Sequence, residues 1–472
     1  MTWWRRAAGA ENRAGRRPRR PARLLAAGVL AAAAVTLGSL AATGALASGG
    51  KQPAAAVSPQ HSPVQVSPGV SNGTSSPVPP GGGLSPAQIR AAYGLPPLTS
   101  LNGAGPLKGI TGKGETIAVV DSFGSPTIRA DLAHFDSYFG LPAPPSFRVI
   151  QPAGKVPAFH PGNSNRSGWA AETTLDVEWA HVMAPDASIV LVETPTSENE
   201  GTTGFPQIVT AVDYVLRHRL AQVISQSFAA TEQTFPAASD YAAIRKLRGD
   251  YQLAARDHVT VLAASGDEGA TSFKYNMVDL YPTRAVSWPS SDPLVTAVGG
   301  TELDLTADGQ RVKPDVAWNG SGGGRSLVFA RPAYQNSVKA IAGSHRSVPD
   351  ISMDASCASS VAIYSSFSGT GKWGPICGTS LATPLFAGVV ALADQYAGHS
   401  LGLINPAIYR MAAEHARGIV DVTSGNNTSR FTQGGKRYTV TGFPAQAGYD
   451  LVTGVGTVNA PYFVPELAKA AG

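Results

Sequence analysis

The chain has 472 residues, of which 15% are charged, and it contains 52 glycines and 36 prolines. This length is enough for one large or two ordinary domains, and the composition indicates a loop-rich protein rather than a helical bundle. The formal net charge of +5 arises from eight arginines within residues 1–23, so the remainder is slightly acidic and does not call for a nucleic-acid partner.

The first 47 residues are typical of an export signal. The basic residues 1–23 precede an uncharged, alanine- and leucine-rich run at 24–47, and the predicted cleavage point lies between Ala47 and Ser48. The apolar run is also long enough to span a bilayer, so a retained membrane anchor is the alternative interpretation. In both cases we expect the rest of the chain to be exported.

The rest of the chain divides into a linker and one globular region. Residues 48–84 are rich in proline, serine and glycine, and they are predicted to form a flexible linker. Residues 85–472 show alternating strand and helix patterns, which predict a single α/β domain with a mostly parallel sheet covered by helices on both faces. Strands are predicted at residues 116–121, 147–150, 188–193, 222–227 and 259–264, and helices at 128–139, 170–182, 205–220 and 241–256.

The sequence contains two cysteines, Cys357 and Cys377. In an oxidising compartment they could close a loop of about 20 residues, which contributes roughly 3 kcal/mol on the loop-entropy model. Two small buried thiols are the alternative.

Ser380 is a candidate nucleophile. It follows Gly378 and precedes a small, apolar run of helical length at residues 385–393. A serine that enters a helix from a glycine turn lies at the positive end of the helix dipole, with little bulk around it. On this motif alone, an ordinary N-cap serine is the simpler interpretation.

Two acidic residues in the predicted helix 170–182 are candidates for proton transfer. Glu172 and Asp176 are four residues apart, so they project from the same face of that helix. If both are partly buried, they share a proton and one of them has a raised pKa. Such a pair can act as a base in acid, where an imidazole is already protonated. A solvated acidic helix face is the alternative.

Asp267 is the third candidate. It lies in a glycine-bracketed turn directly after the predicted strand 259–264, at the carboxyl edge where active sites of such sheets gather. A protonated carboxyl there could donate a hydrogen bond to a developing oxyanion. An ordinary turn aspartate is the alternative.

Together these three motifs resemble the sedolisin family of serine-carboxyl peptidases, in the order in which that family carries them. The resemblance covers about residues 84–472 and includes the segments 348–352 and 418–425. It implies a subtilisin-like fold with Ser380 as nucleophile, Glu172 as general base, Asp176 as its partner and Asp267 as oxyanion stabiliser. The expected function is a secreted, acid-acting serine endopeptidase.

The resemblance also implies one structural Ca²⁺ ion near the end of the chain. The positions that match the family's ligands are Asp421, Val422, Gln446, Gly448 and Asp450. Glutamine 446 stands where glycine is usual, but that position supplies only a backbone carbonyl. Oxygen ligands from two loops suit a hard cation. A pair of turns without metal is the alternative.

Three features depart from the family pattern. Asp121 and Phe228 stand where many members carry a further acid and a tryptophan, so a proton network that extends beyond the triad should be shorter here. Only the predicted linker precedes the catalytic region, where the family usually has a large activation domain. Cys377 lies directly before the Gly-Thr-Ser motif.

Two other functions compete with the peptidase prediction. A subtilisin-type serine peptidase needs a histidine followed by Gly-Thr, and none of the nine histidines has that context. A non-catalytic exported binding protein on a peptidase scaffold is the other alternative, although all four catalytic positions are filled. We expect a monomer that acts on protein or peptide substrates, with membrane contact only if the N-terminal segment is retained.

Overall fold

The computed structural model describes residues 78–101, 105–236 and 241–472. The predicted export signal at 1–47, and the part of the predicted linker from 48 to 77, lie outside these ranges. Within the described ranges, none of the helices combines the length and the apolar character that crossing a membrane requires.

The helices and strands alternate along most of the chain. The α-helices are α1 (Pro86–Ala92), α2 (Ile128–Phe139), α3 (Ser164–Met183), α4 (Phe205–Arg217), α5 (Ala242–Leu247), α6 (Gly249–Arg256), α7 (Lys339–Ala342), α8 (Thr379–Ala397), α9 (Asn405–Ala413) and α10 (Ala460–Ala471). The strands are β1 (Thr116–Ser122), β2 (Phe147–Ile150), β3 (Ser188–Thr194), β4 (Val223–Gln226), β5 (Ala230–Thr231), β6 (Thr260–Ala264), β7 (Ser287–Trp288), β8 (Thr296–Glu302), β9 (Val316–Ala317), β10 (Gly324–Ala330), β11 (His345–Val348), β12 (Ile351–Asp354), β13 (Val361–Ser365), β14 (Lys372–Ile376), β15 (Ile419–Val420), β16 (Ser429–Gln433), β17 (Lys436–Val440) and β18 (Thr457–Val458).

The central sheet has eight strands, in the order β12-β8-β6-β4-β1-β3-β2, with β9 added to β8. The pairs along this order are parallel, and only β9 runs antiparallel to its neighbour. The predicted fold class, a mostly parallel sheet of subtilisin-like type, is therefore confirmed. The carboxyl ends of the parallel strands lie along one edge of the sheet.

Strand β1 shows how both faces of the sheet are buried. Ile117 and Val119 belong to the apolar core that includes α3 and α8, whereas Ala118 and Val120 belong to the core that includes α4 and α6. Alternating residues of a strand point to opposite faces, so a continuous apolar run fills both cores. The buried strand therefore carries Asp121, which follows this run, into the interior.

Helix α8 lies across the sheet and packs against α3. At Gly388 the two helices approach so closely that an added Cβ would lie 2.3 Å from the Cβ of Met183. The 19 residues of α8 are apolar on nearly all sides, which suits a helix that is enclosed by the sheet and by other helices. The prediction of a helix after the Gly-Thr-Ser motif is correct.

The segment before α8 is held by a disulfide bond between Cys357 and Cys377. The two cysteines flank the antiparallel hairpin formed by β13 and β14. The expected disulfide is therefore present, and it fixes the chain one residue before Gly378. At Gly378 the backbone turns into α8 with φ of 123°, a conformation that favours glycine.

The described end of the predicted linker is packed on the same hairpin. The amide of Leu84 donates to the carbonyl of Ser360 at 2.7 Å, and the amide of Ala362 donates back to the carbonyl of Leu84 at 3.1 Å. These bonds attach residues next to the boundary at 84 to the edge of β13.

Candidate active site

Ser380 lies in the first turn of α8, at the carboxyl edge of the sheet, and it is partly exposed. Its backbone carbonyl has an unusual partner. Pro384, four residues later, has no N–H with which to close the helical hydrogen bond to that carbonyl. The hydroxyl of Ser227 donates to it instead, at 3.4 Å. The segment after β4 therefore takes part in holding the first turn of α8.

Glu172 and Asp176 lie on the face of α3 that meets α8. The hydroxyl of Ser380 is close enough to the Glu172 carboxyl to lower its pKa, but burial has the larger effect and raises it. Oε1 of Glu172 is buried and has no well-aligned hydrogen-bond partner among the described residues. The structure thus brings Glu172 and Ser380 together, as expected from the sequence.

Asp176 lies deeper than Glu172, with 0% of its surface exposed. Burial raises its pKa well above the ordinary value, and the neighbouring carboxyls of Asp121 and Glu172 raise it further. The Ser227 hydroxyl is near enough to lower this pKa slightly, although neither carboxyl oxygen of Asp176 has a well-aligned partner in the described part of the chain. A buried carboxyl without a cation holds its proton to unusually high pH.

Asp121, at the carboxyl end of β1, is a third buried carboxyl of this group. Burial raises its pKa, while the hydroxyl of Thr173 lowers it. Its charge raises the pKa values of both Glu172 and Asp176, so the three carboxyls titrate as one group. The expectation that Asp121 would take the place of a further acid agrees with this position, and Phe228 is a buried residue that packs against Phe205.

Asp267 lies on the other side of Ser380, in the turn after β6. Its Oδ1 accepts hydrogen bonds from both the amide and the hydroxyl of Thr379. Much of the residue is accessible to solvent, yet protein atoms surround its carboxyl closely, and this desolvation raises its pKa. A protonated Asp267 would be a hydrogen-bond donor next to Ser380.

The four predicted catalytic residues thus lie at one edge of the sheet, on three different elements. Ser380 comes from α8, Glu172 and Asp176 come from α3, and Asp267 follows β6. Sequence reasoning did not identify Ser227, which touches this group from the segment after β4. The signal for it was Pro384, because a proline four residues after a helical serine leaves the serine carbonyl free for another donor.

A cavity of about 170 Å³ lies beside this group, at the ends of β1 and β3. Its walls combine aromatic rings with polar side chains: Phe123, Gln151, Phe159, Arg166 and Glu193. Ser380 and Glu172 do not line it, so it borders the catalytic residues rather than containing them.

The residues predicted to bind Ca²⁺ lie in two loops that contact each other. The amide of Gly448 donates to Oδ2 of Asp421 at 2.9 Å, and the amide of Gln446 donates to Oδ2 of Asp450 at 3.0 Å. Within the described ranges, the carbonyl oxygens of Val422, Gln446 and Gly448 accept no protein hydrogen bond. Two carboxylates and three unpaired carbonyls fit a hard, oxygen-binding cation.

Comparisons with known proteins indicate the family of the chain. A family model described as the subtilase family matches residues 164–434, which is more than half of the chain. The chain is 30% identical over 390 residues to kumamolisin from Bacillus sp. (strain MN-32), covering 79% of this chain and 61% of kumamolisin. It also superposes on Pseudomonas sedolisin, a serine-carboxyl proteinase solved with two molecules of pseudo-iodotyrostatin, with a TM-score of 0.64 and 25% identity over 83% of this chain and 98% of that one.

The chain belongs to the subtilase family, in its sedolisin group. A further relative is the tripeptidyl-peptidase sed4 of Aspergillus fumigatus, which is 32% identical over 377 residues and is matched over 69% of this chain and 58% of its own length. The chain therefore spans about three fifths of the length of these curated relatives. The comparison with sedolisin supports the family that the sequence motifs indicated.

Proposed function

We propose that this chain is an acid-acting serine-carboxyl peptidase, and that Ser380, Glu172, Asp176 and Asp267 carry the reaction. The observation that supports this most strongly is the proximity of the Ser380 hydroxyl to the Glu172 carboxyl. Glu172 is in turn one of three neighbouring carboxyls whose pKa values burial and the nearby acids raise. A carboxylate base of this kind works in acid, where histidine does not.

The first half of the reaction forms an acyl-enzyme. The Ser380 hydroxyl transfers its proton to Glu172 while its oxygen forms a bond with the peptide carbonyl carbon. The protonated Asp267 donates a hydrogen bond to the oxyanion that develops. When the C–N bond breaks, Glu172 returns the proton to the leaving amine. Water then attacks the ester carbonyl by the same steps, with Glu172 as the base, and this releases the carboxyl product and restores Ser380.

Asp176 is a positioning residue in this scheme. It lies deeper than Glu172 and its pKa is raised more strongly by its surroundings, so it is the carboxyl that keeps a proton. At Glu172 the hydroxyl of Ser380 offsets part of the effect of burial, so of the two carboxyls Glu172 is the one that ionises first. Asp176 can then donate to Glu172 and hold it in the orientation that accepts the serine proton.

The proposed substrates are proteins or peptides, which the enzyme cleaves at internal bonds. The competing mode is release of tripeptides from the amino terminus, because one relative is called a tripeptidyl-peptidase. The enzyme is secreted as a monomer. One Ca²⁺ ion, held by Asp421, Asp450 and the carbonyls of Val422, Gln446 and Gly448, would join the two loops and stabilise the fold.

The test compares hydrolysis of a denatured protein at pH 4 by the wild type, Ser380→Ala, Glu172→Gln and the exposed control Thr439→Ala. We expect wild type and Thr439→Ala to be equally active and the other two to lose at least about 10³-fold. Equal activity in wild type and Ser380→Ala would overturn the proposal and favour a non-catalytic binding protein. Substrates with blocked amino termini separate the two cleavage modes, since only internal cleavage tolerates the block.

A further inference from the structure

The loop of residues 195–204, between β3 and α4, lies next to the catalytic carboxyls. Strand β3 pairs in parallel with β1, and Glu193 is opposite Asp121 in this register. The amide of Phe123 then donates to the carbonyl of Thr194 at 2.9 Å. The loop therefore leaves the sheet directly beside Asp121, at the edge where Ser380 lies.

Two sets of hydrogen bonds fix this loop. On one side, the Asn165 side-chain amide of α3 donates to the hydroxyl of Ser197 at 3.0 Å. On the other side, the amide of Thr231 donates to Oε2 of Glu200 at 2.7 Å, and the hydroxyl of Thr234 donates to the same oxygen at 3.0 Å. Glu198 lies between these two anchors, so its position is well defined.

Glu198 has fewer partners than Glu200, since its carboxyl receives a hydrogen bond from its own backbone amide, which lowers its pKa in part. Its Oε2 is buried and, in the part of the chain that the structure describes, it accepts no hydrogen bond. Burial raises the pKa of Glu198 well above the ordinary value, and the carboxyls of Glu172, Glu200 and Asp121 raise it further. Glu200 has neutral donors from β5 and the turn after it, but Glu198 faces other acids.

We propose that Glu198 forms a subsite for a cationic group of the substrate, either a lysine or arginine side chain near the scissile bond or the free amino terminus of the peptide. The inference rests on the proposed function and specifies its substrate preference. A buried carboxyl oxygen without a donor is costly, and so are several carboxyls close together without a cation. An ammonium or guanidinium group from the substrate supplies both the donor and the opposite charge.

The length of the peptide limits where such a group can be attached. The charge of Glu172 raises the pKa of Glu198, and the Ser380 hydroxyl is close enough to Glu172 to lower the pKa of that carboxyl. An extended peptide advances roughly 3.3–3.6 Å per residue, so the cation must belong to one of about three residues on either side of the cleaved bond.

The preference should depend on pH. The charged groups that face Glu198 are Glu172 of α3, Glu200 of the same loop and Asp121 of β1, and all of them are acids. At low pH Glu198 is neutral and binds a cation weakly. As pH rises, the carboxyl ionises and the preference for a cation increases.

The experiment uses pairs of quenched peptides with blocked ends that differ only in lysine or its neutral counterpart norleucine, scanned over three positions on each side of one bond. A second pair differs only in a free or acetylated amino terminus. The ratio of kcat/KM within each pair is measured between pH 3 and pH 8. The enzymes are wild type, Glu198→Gln, Glu198→Ala and the exposed control Glu414→Gln, with melting temperatures for each.

In the wild type and in Glu414→Gln, we expect the cationic peptide to be preferred about tenfold or more at one position, increasingly so as pH rises. In Glu198→Gln and Glu198→Ala this ratio should fall close to one and lose its pH dependence. If the cation is a substrate side chain, the preference appears in the lysine and norleucine pairs. If the cation is the amino terminus, the preference appears in the pair with a free or an acetylated amino terminus. A wild-type ratio near one in all pairs, or an unchanged ratio in both Glu198 variants, would overturn the inference.

Binding of the same peptides to Ser380→Ala separates the two proposals. If the wild type cleaves norleucine peptides but no pair shows a preference for the cation, only the Glu198 subsite fails. If Ser380→Ala binds lysine peptides more tightly than norleucine peptides and the wild type cleaves neither, the subsite stands and the peptidase proposal fails. Absence of both cleavage and preferential binding rejects both.

Discussion

The amide and the hydroxyl of Thr379 both donate to the same oxygen of Asp267, Oδ1, each at 2.7 Å. With two donors on Oδ1, the proton of a neutral Asp267 resides on Oδ2. Gly378 keeps the space beside Oδ2 open, because a Cβ at that position would lie only 2.7 Å from it. Thr379 therefore selects which oxygen of Asp267 can donate to an oxyanion.

Asp267→Asn should change the pH profile more than the rate in acid. The asparagine carbonyl can accept from Thr379 while its NH₂ replaces the O–H donor. The raised pKa of Asp267 means that the wild-type rate should fall as pH rises through that pKa. The asparagine does not titrate, so its profile should extend to higher pH.

Asp267→Ala is the matched comparison for this prediction. Loss of the donor should lower kcat at pH 4 by about 10²- to 10³-fold. The measurement is kcat against pH for the three proteins. The same alkaline fall in wild type and Asp267→Asn would show that another group is responsible for it.

Asp121→Asn should move the acidic side of the pH profile. Of the neighbouring charges, Asp121 has the largest effect on the pKa of Asp176 and raises it. Without this charge the remaining carboxyls release a proton at lower pH, so kcat/KM should begin to rise at lower pH than in the wild type. The exposed Asp308→Asn is the control, and a profile like the control's would contradict the prediction.

Removal of the disulfide should affect both stability and rate. The Cys357–Cys377 bond spans 20 residues, which corresponds to about 3 kcal/mol on the loop-entropy model. Because Cys377 directly precedes Gly378, kcat should fall as well. The double variant Cys357→Ala, Cys377→Ala is assayed by thermal melting and by hydrolysis. Reductant should reproduce its effects in the wild type and have none in the variant.

Removal of calcium should lower the melting temperature without changing the catalytic groups. Ca²⁺ at about 100 times its Kd would add about 2.7 kcal/mol to the free energy of unfolding. We expect a chelator to lower the wild-type melting temperature by several degrees and Asp421→Asn to remove that response. Asp421 suits this test because Asp450 also holds its own loop through the amides of Val452 and Thr453. An equal response of both proteins to chelator would exclude Asp421 as a ligand.

The folded protein should be more stable in acid than at neutral pH. Burial raises the pKa of Asp394, at the end of α8, to about 8. The unfolded chain releases that proton near pH 4, so the unfolded state gains stability as pH rises from about 4 to 8, at up to about 1.4 kcal/mol per pH unit. Asp136 contributes in the same direction, since burial raises its pKa to about 8.

His181 opposes this trend. Burial lowers its pKa to about 4, so protonation of the unfolded chain weakens the fold as pH falls from about 6.5 to 4. Because several buried carboxyls outweigh one histidine, the melting temperature should still decrease from pH 4.5 to pH 8. The melting temperature of Asp394→Asn should change less with pH than that of the exposed control Asp308→Asn. Melting curves across this range measure it, and a rising melting temperature would contradict the prediction.

The sequence predicted the fold wherever apolar periodicity was continuous. The helix at 128–139 and the strand at 147–150 match α2 and β2 in the structure. Helix α3 begins at Ser164, six residues before the predicted start, because its first turns are polar and are capped by Asn163 rather than by apolar contacts. The predicted helix 241–256 is two helices in the structure, because the helical conformation is interrupted between Leu247 and Gly249.

The candidate site was predictable to the extent that it depends on local sequence. The four-residue spacing of Glu172 and Asp176 and the glycine turn before Ser380 are local signals. The burial of these acids, the contact from Ser227 and the approach of Glu198 depend on loops that come together only in the folded chain. Contacts of this kind leave no periodic pattern in the sequence.

The close contact at Gly388 has a consequence for the reacting groups. Ser380 and Gly388 are eight residues apart on α8, as are Glu172 and Ala180 on α3, and Gly388 lies against Ala180 and Met183. The two helices therefore run side by side in the same direction, meeting at the hydroxyl–carboxyl contact and again about 12 Å further along. Interior atoms at Gly388 thus help to set the spacing between Ser380 and Glu172, and a side chain at position 388 would push the two helices apart.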